Sequence, residues 1–238
     1  NGFSGGSTTA IKNTNSPAIT LETGSTIDYT GSDQTVTNIL PYQNLNISTI
    51  GTKTASSGDL VVNNLTTVSA GTLKFLKTAD NATPNVLYAH KGINNVGGSV
   101  IFENNAQLMQ DEDANNTQAT IQSQRDVIDM NNVSTQMDYV YWSSPVDGQN
   151  IKAFSPNTPA NGYLQYNESN DKFSVTSDAN FQIGKGYAIR AETGTNGYNK
   201  SYVFTGIPHN SSLDSPNLKW TDSNHGYNLI GNPYPSNI

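Results

Sequence analysis

The chain has 238 residues, of which 13% are charged and 34% are hydrophobic, and its formal net charge is −7. It contains no cysteine, which excludes disulfides, thiolate metal sites and a cysteine nucleophile. The acidic balance argues against a nucleic-acid partner, because such a partner requires a basic surface. No apolar run is long enough to span a bilayer, so we expect no membrane insertion.

The first half of the chain shows a degenerate internal repeat. Short apolar runs alternate with polar residues and are separated by Gly, Asn, Asp and Ser, a pattern that predicts strands and turns. Residues 19–29, 66–75 and 100–110 each fit a strand, a tight turn at Gly or Asn, and a second short strand. With the apolar runs at 45–47 and 60–62, these segments recur roughly every 20 residues, which is the spacing of solenoid coils.

A coil of this length cannot bury its own apolar face, so neighbouring coils have to stack and share one core. We therefore predict parallel β-solenoid-like repeats over residues 1–135, with Ile, Leu, Val and Phe inside and Asn or Gly at the corners. An ordinary β-sandwich with similar hairpins is the alternative. The best helical candidate, residues 117–130, has too poor an apolar stripe to predict a helix.

The second half changes character from about Met137, where aromatic residues become frequent between Pro, Gly and Asn. This pattern predicts a separate antiparallel β-sandwich over residues 136–238. Within 139–142, the order Tyr-Val-Tyr-Trp predicts a strand whose side chains alternate between core and surface. The expected fold is all-β throughout, with the domain boundary near residue 135.

One stretch resembles the start of a calcium loop. Asp111, Asp113 and Asn115 place oxygen ligands at alternate positions, as such a loop does. Asn116 stands where the loop requires Gly, and Gln122 stands where it requires a bidentate Glu. A solvated acidic turn at a solenoid corner is therefore the favoured interpretation, with calcium at these three residues as the alternative. No other cofactor is indicated.

The sequence predicts no enzyme. Its three histidines, His90, His209 and His225, are far apart along the chain, and the nucleophile-elbow pattern Gly-x-Ser-x-Gly does not occur. A polysaccharide-degrading region remains the alternative. It requires acids clustered on one solenoid face, and isolation of His90, Asp111 and Asp113 from other polar groups would exclude it.

Five blocks in the second half carry a resemblance to a known family. They read DYVYWSSPV at 138–146, FSPNTP at 154–159, GKGYAIR at 184–190, FTGIPHN at 204–210 and GYNLIGNPYP at 226–235. In this order they resemble a module of large adhesin-like surface proteins of Bacteroidetes, flavobacteria among them, that are exported by the type IX secretion system. Solenoid-like repeats commonly precede the module in that family.

The resemblance implies an extracellular location, at the outer-membrane surface of a Gram-negative bacterium or released from it. It implies the type IX secretion machinery as a partner during export, with surface glycans or other cell-surface proteins as candidate partners afterwards. The printed sequence ends at Ile238, directly after the last block, so we expect the family's C-terminal sorting domain to be absent and the sandwich to be truncated. We expect a non-catalytic structural or adhesive segment. The alternatives are a carbohydrate-binding or polysaccharide-degrading accessory region and a module recognised as secretion cargo.

Overall fold

The computed structural model describes residues 19–79, 82–116, 118–194, 196–213 and 218–237. Residues 1–18, where the predicted repeat region opens, lie outside this part. The described chain is nearly all β, which confirms the predicted fold class. It divides into two compact units. The first comprises the chain up to Gln124 with Thr205–Ser212 and Pro235–Asn237, and the second comprises Arg125–Phe204 and Leu213–Tyr234.

The strands of the first unit are short and follow one another closely. They are β1 Thr26–Tyr29, β2 Gln34–Val36, β3 Asn44–Ile47, β4 Thr52–Ala55, β5 Asp59–Val62, β6 Thr66–Val68, β7 Thr72–Phe75, β8 Val86–Ala89, β9 Ile93–Asn95, β10 Ser99–Phe102, β11 Gln107–Met109 and β12 Ile121–Met130. The division between the units falls inside β12, at Gln124, whereas the sequence pattern placed a boundary near residue 135.

These strands form three stacks in which every pairing is parallel. The stacks run β1-β3-β6-β9, β2-β4-β7-β10 followed by the start of β12, and β5-β8-β11. Strands that are neighbours in space belong to successive coils, as in the pairing of Leu45 with Ile27 on one side and Thr66 on the other. The described part of the first unit is therefore a parallel β-solenoid, and the alternative of a hairpin sandwich does not apply to it.

Alternation along each strand fills the solenoid core. Leu45, Ile47, Leu73 and Phe75 are fully buried, while the residues between them point outwards. Phe75 stacks on Phe102 of the next coil at 4.9 Å between ring centroids. Because each such side chain contributes about 1.5–3 kcal/mol when it is buried, stacking of the coils stabilises strands that would not be stable alone.

Two polar clusters inside the solenoid are hydrogen-bonded. The Lys53 side chain is fully buried, and its Nζ donates to the backbone oxygens of Thr49 and Ile50 at 2.7 and 2.8 Å. The phenols of Tyr29 and Tyr42 contact each other at 2.7 Å, and Tyr42 donates to Thr37 O. Burial lowers the pKa of Lys53 and raises the pKa of both tyrosines, because it disfavours the charged form in each case.

One corner of the solenoid requires glycine. Gly71 has a φ of +68°, and a Cβ at this position would lie 2.3 Å from Thr49 O and 2.6 Å from Gly51 O. The coils approach closely here because backbone hydrogen bonds join them, as Thr72 N–H donates to Gly51 O and Ser99 N–H donates to Gly71 O. A side chain at this corner would force adjacent coils apart.

The second unit contains the remaining elements, apart from the last two residues of the final strand, which belong to the first unit. These elements are β13 Asn132–Val133, β14 Gln136–Met137, β15 Tyr139–Trp142, α1 Ile151–Phe154, β16 Tyr163–Asn167, β17 Lys172–Val175, β18 Tyr187–Arg190 and β19 Tyr198–Gly206, with short 3₁₀ turns at Ala160–Gly162 and Glu168–Asn170. Strands β15-β18-β16-β17 form an antiparallel sheet, β13 pairs with β14, and β19 lies next to β12 in the strand order. In the described residues, no helix has the length and apolar character needed to cross a lipid bilayer.

Aromatic side chains form the core of this unit. Trp142 from β15 packs edge-on against Phe154 of α1 at 5.0 Å and contacts Tyr202 of β19 at 5.1 Å. Phe204 of β19 stacks on Phe154 at 4.3 Å. Aromatic side chains from two groups of strands thus meet in one core, as they do in a β-sandwich. Elsewhere in this unit, the buried Glu168 carboxylate accepts hydrogen bonds from the N–H and Oγ1 of Thr221 at 2.6 and 2.7 Å.

Candidate functional site

A charged corner of the first unit contains the acids that the sequence singled out. The turn after β8 places His90 and Lys91 beside the loop that follows β11 in the next coil. His90 Nδ1 lies 2.8 Å from Asp111 Oδ1, and Lys91 Nζ donates to both Asp113 carboxylate oxygens at 2.9 Å. Asn115 N–H donates to Lys91 O at 3.0 Å, which holds the two coils in register.

This arrangement gives the calcium-candidate residues partners within the protein. Asp111 faces His90, with Lys91 Nζ 3.7 Å from its second oxygen, and Asp113 faces Lys91. The hydrogen bond from His90 lowers the pKa of the Asp111 carboxyl. Calcium takes six to eight oxygen ligands. Across the described ranges, no group of three or more His, Asp or Glu side chains is arranged to hold a metal ion.

The structure contains two histidine–carboxylate hydrogen bonds that the sequence does not predict. Besides His90 with Asp111, His225 Nδ1 lies 2.9 Å from Asp222 Oδ1, and this hydrogen bond raises the pKa of His225. A catalytic triad also requires a nucleophile bonded to the other ring nitrogen. Within the described residues, neither of these rings has a hydrogen bond to a serine or threonine hydroxyl. The first pair joins separate coils, so only the coil register could have revealed it.

The antiparallel sheet of the second unit has a face opposite its core that carries aromatic side chains. Side chains alternate along each strand, and paired residues of an antiparallel sheet point to the same side. The register aligns Tyr139 with Arg190, Tyr141 with Ala188 and Leu164, Leu164 with Val175, and Tyr166 with Phe173. We call the face formed by these eight residues the aromatic face.

Two rings lie over the middle of the aromatic face. Tyr141 from one edge strand and Phe173 from the other stack with centroids 6.2 Å apart and ring planes 26° apart. Ala188 lies between their strands and is buried. Tyr141 remains 64% exposed and Phe173 remains 41% exposed.

Planar polar groups border these rings. Arg190 Nη2 donates to Asn161 Oδ1 at 2.7 Å, and Arg190 Nη1 lies 3.4 Å from Met137 Sδ, which together fix the guanidinium plane. Tyr166 packs edge-on against Phe173 at 5.3 Å. Its hydroxyl donates to Asp171 Oδ1 at 2.8 Å, and this bond raises the pKa of Tyr166 to about 12. The aromatic face thus combines exposed rings with fixed hydrogen-bonding groups.

Comparison with known proteins gives a family but no described activity. No curated protein and no solved structure matches the chain. The sequence model of one protein family matches residues 27–238, from the second residue of β1 onwards. This match covers the solenoid and the antiparallel sheet together. The chain therefore belongs to the family described as Domain of unknown function (DUF8693).

Proposed function

We propose that the chain is a non-catalytic structural and adhesive segment of a surface-exposed or secreted protein. The observation that carries this proposal is the aromatic face, where Tyr141 and Phe173 remain exposed although the other side of the same sheet is packed with aromatic residues. Contiguous exposed apolar side chains with polar groups at their border mark interaction sites. The sheet therefore presents a binding surface on a rigid support.

The solenoid supports a structural role. Its coils are joined by backbone hydrogen bonds and share a buried core, so the first unit forms a stack of mutually supporting coils. Many of its outward strand positions are Asn, Thr or Ser, such as Asn46, Thr54 and Thr67. These neutral groups hydrate much of the stack's surface, as a spacer at a cell surface requires.

The charged corner supports a non-catalytic role. Asp111 and Asp113 contact His90 and Lys91 of the neighbouring coil, as expected of a structural corner that joins coils. The clustering of these groups also favours a second candidate, a polysaccharide-degrading region. That candidate predicts release of reducing ends from polysaccharides, with loss of the release in Asp111→Asn.

The resemblance to exported proteins supports the proposed location. The five blocks that resemble type IX secretion substrates lie within residues 138–235, and they include β15 and β18 of the antiparallel sheet. We infer that the type IX machinery of a Bacteroidetes cell exports the protein and that its partners at the surface are glycans or surface proteins. Whether this module is itself the cargo signal is tested by pull-down of the secretion machinery with and without the segment.

Attachment under flow tests the proposed function. Beads coated with the purified chain are passed over polysaccharide films, protein films and layers of intact bacteria, with albumin-coated beads as the control. The proposal predicts retention of the chain-coated beads on at least one film. Retention equal to that of albumin on every film would contradict the adhesive role and leave only a spacer.

A further inference from the structure

We propose that the aromatic face binds a neutral polysaccharide, with Tyr141 and Phe173 stacking against the sugar rings. This inference rests on the adhesive function proposed above and names its ligand class. The C–H faces of a pyranose ring are apolar while its edge carries hydroxyl groups. A matching site therefore needs exposed aromatic rings next to oriented donors and acceptors, as ligand sites combine apolar walls with a few placed polar groups.

Tyr141 and Phe173 provide the exposed aromatic rings that such a site needs. Tyr141 and Phe173 contact each other with their ring planes nearly parallel, at 26°. Aromatic side chains lose little conformational entropy on binding, since only two torsions have to be fixed. Tyr166 packs against Phe173 and restrains it further. The rings are therefore in place before a ligand arrives.

The border of the aromatic face provides the oriented hydrogen-bond donors and acceptors. The Arg190 guanidinium lies across from Tyr139 and is oriented by Asn161 and Met137. A guanidinium has five N–H donors, more than these two contacts use. On the side of β16 and β17, Asp171 is held by the Tyr166 hydroxyl, and a carboxylate can accept several hydrogen bonds. Donors and acceptors thus flank the rings, as sugar hydroxyls require.

The charge of the protein favours a neutral polysaccharide over an acidic one as the ligand. The protein carries a net charge of −7, which repels polyanions over the range of a Debye length. The eight residues of the aromatic face include one cation, Arg190, and Tyr166 contacts an anion, Asp171, so the face offers no basic cluster to overcome that repulsion. A polysaccharide without carboxylate or sulfate groups fits both the rings and the charge.

Native affinity electrophoresis tests the inference. The purified chain is run through gels containing hydroxyethylcellulose or galactomannan as neutral probes and through gels containing alginate as the acidic probe. We expect retardation in at least one neutral gel and none in alginate. Tyr141→Ala and Phe173→Ala should each weaken binding at least about tenfold, as truncation of central aromatic anchors does. Tyr141→Phe should retain it, because the stacked ring remains.

Controls separate binding from folding. Tyr88 in the first unit lies on an outward strand position next to His90, outside the aromatic face. Tyr88→Ala should therefore leave retardation unchanged. Far-UV circular dichroism checks that each variant is folded, as expected for the substitution of an exposed residue such as Tyr141. Equal retardation of the wild type and the two alanine variants would overturn the inference, as would stronger retardation in alginate.

The bead assay distinguishes this inference from the function on which it rests. Beads that attach only to protein films, with no retardation in either neutral gel, would overturn the glycan inference while the adhesive function stands. Beads that attach to no film would remove the adhesive function itself. Attachment to polysaccharide films that is lost in the Tyr141→Ala, Phe173→Ala double variant supports both.

Discussion

Replacement of Gly71 by alanine tests the stacking of the solenoid coils. Gly71 has a φ of +68°, a conformation that disfavours alanine by about 1–2 kcal/mol. The added Cβ would also lie 2.3 Å from Thr49 O and 2.6 Å from Gly51 O. Relieving such overlap in a packed region costs about 1–3 kcal/mol. We therefore expect Gly71→Ala to lower the free energy of unfolding by about 2–5 kcal/mol.

Gly24 provides a matched control in the same unit. Its φ is +81°, yet a Cβ there would meet nothing within 4 Å. Gly24→Ala should therefore lower the free energy of unfolding only through the cost of placing alanine at a positive φ. The effect of alanine on the unfolded chain is the same at both sites. The difference between the two variants isolates the contact between coils. We expect that difference to be about 1–3 kcal/mol.

Urea denaturation followed by far-UV circular dichroism measures both variants. Both tryptophans, Trp142 and Trp220, lie in the second unit, so their fluorescence follows that unit separately. A loss of stability in Gly71→Ala no larger than in Gly24→Ala would refute the close approach of coils at this corner. It would also undermine the assigned register between β4 and β7.

Three further predictions concern buried polar groups. Lys53→Met should lower the free energy of unfolding by about 1–3 kcal/mol in urea titrations, because two corner carbonyls lose their donor; unchanged stability would contradict the buried ammonium. Since burial raises the pKa of Tyr29 and Tyr42 above 10.0, the unfolded chain releases these protons first. Stability should therefore fall as the pH rises above 10.0, by about 1.4 kcal/mol per pH unit for each phenol. A double Phe variant that kept the same slope in pH-dependent unfolding would contradict this assignment. Glu168→Ala removes both acceptor oxygens and should speed amide hydrogen exchange at Thr221; unchanged exchange would show that these hydrogen bonds do not hold this segment.

The inward and outward positions of the solenoid strands follow directly from the sequence. Alternation in Asn44–Ile47 places Leu45 and Ile47 inside, as the structure shows. The sequence does not show which sheet of the coil each copy of the repeat belongs to. Residues 66–75 form β6 and β7, whereas residues 100–110 form β10 and β11, so the aligned copies occupy different sheets of the coil. Every corner of the coil uses the same turn-and-strand pattern, and the alignment therefore cannot tell one corner from the next.

The candidate sites differ in how much of them the sequence predicts without knowledge of the tertiary structure. The order Tyr-Val-Tyr-Trp at 139–142 predicts that Tyr141 and Trp142 face opposite sides, and Trp142 is the buried one. That Phe173 stacks on Tyr141 depends on the strand order β15-β18-β16-β17, which local patterns do not specify. The contact of His90 with Asp111 likewise depends on which coils are neighbours.

Surface proteolysis of intact cells tests the central claim, that the chain is displayed outside the cell through type IX export. In the organism that encodes the protein, protease is added to whole cells, and the loss of full-length protein is followed with an antibody to this segment. We expect the protein to be cleaved in cells with a functional type IX system and to be protected inside cells in which that system is inactivated. Protection in both strains, or equal cleavage in both, would contradict this claim.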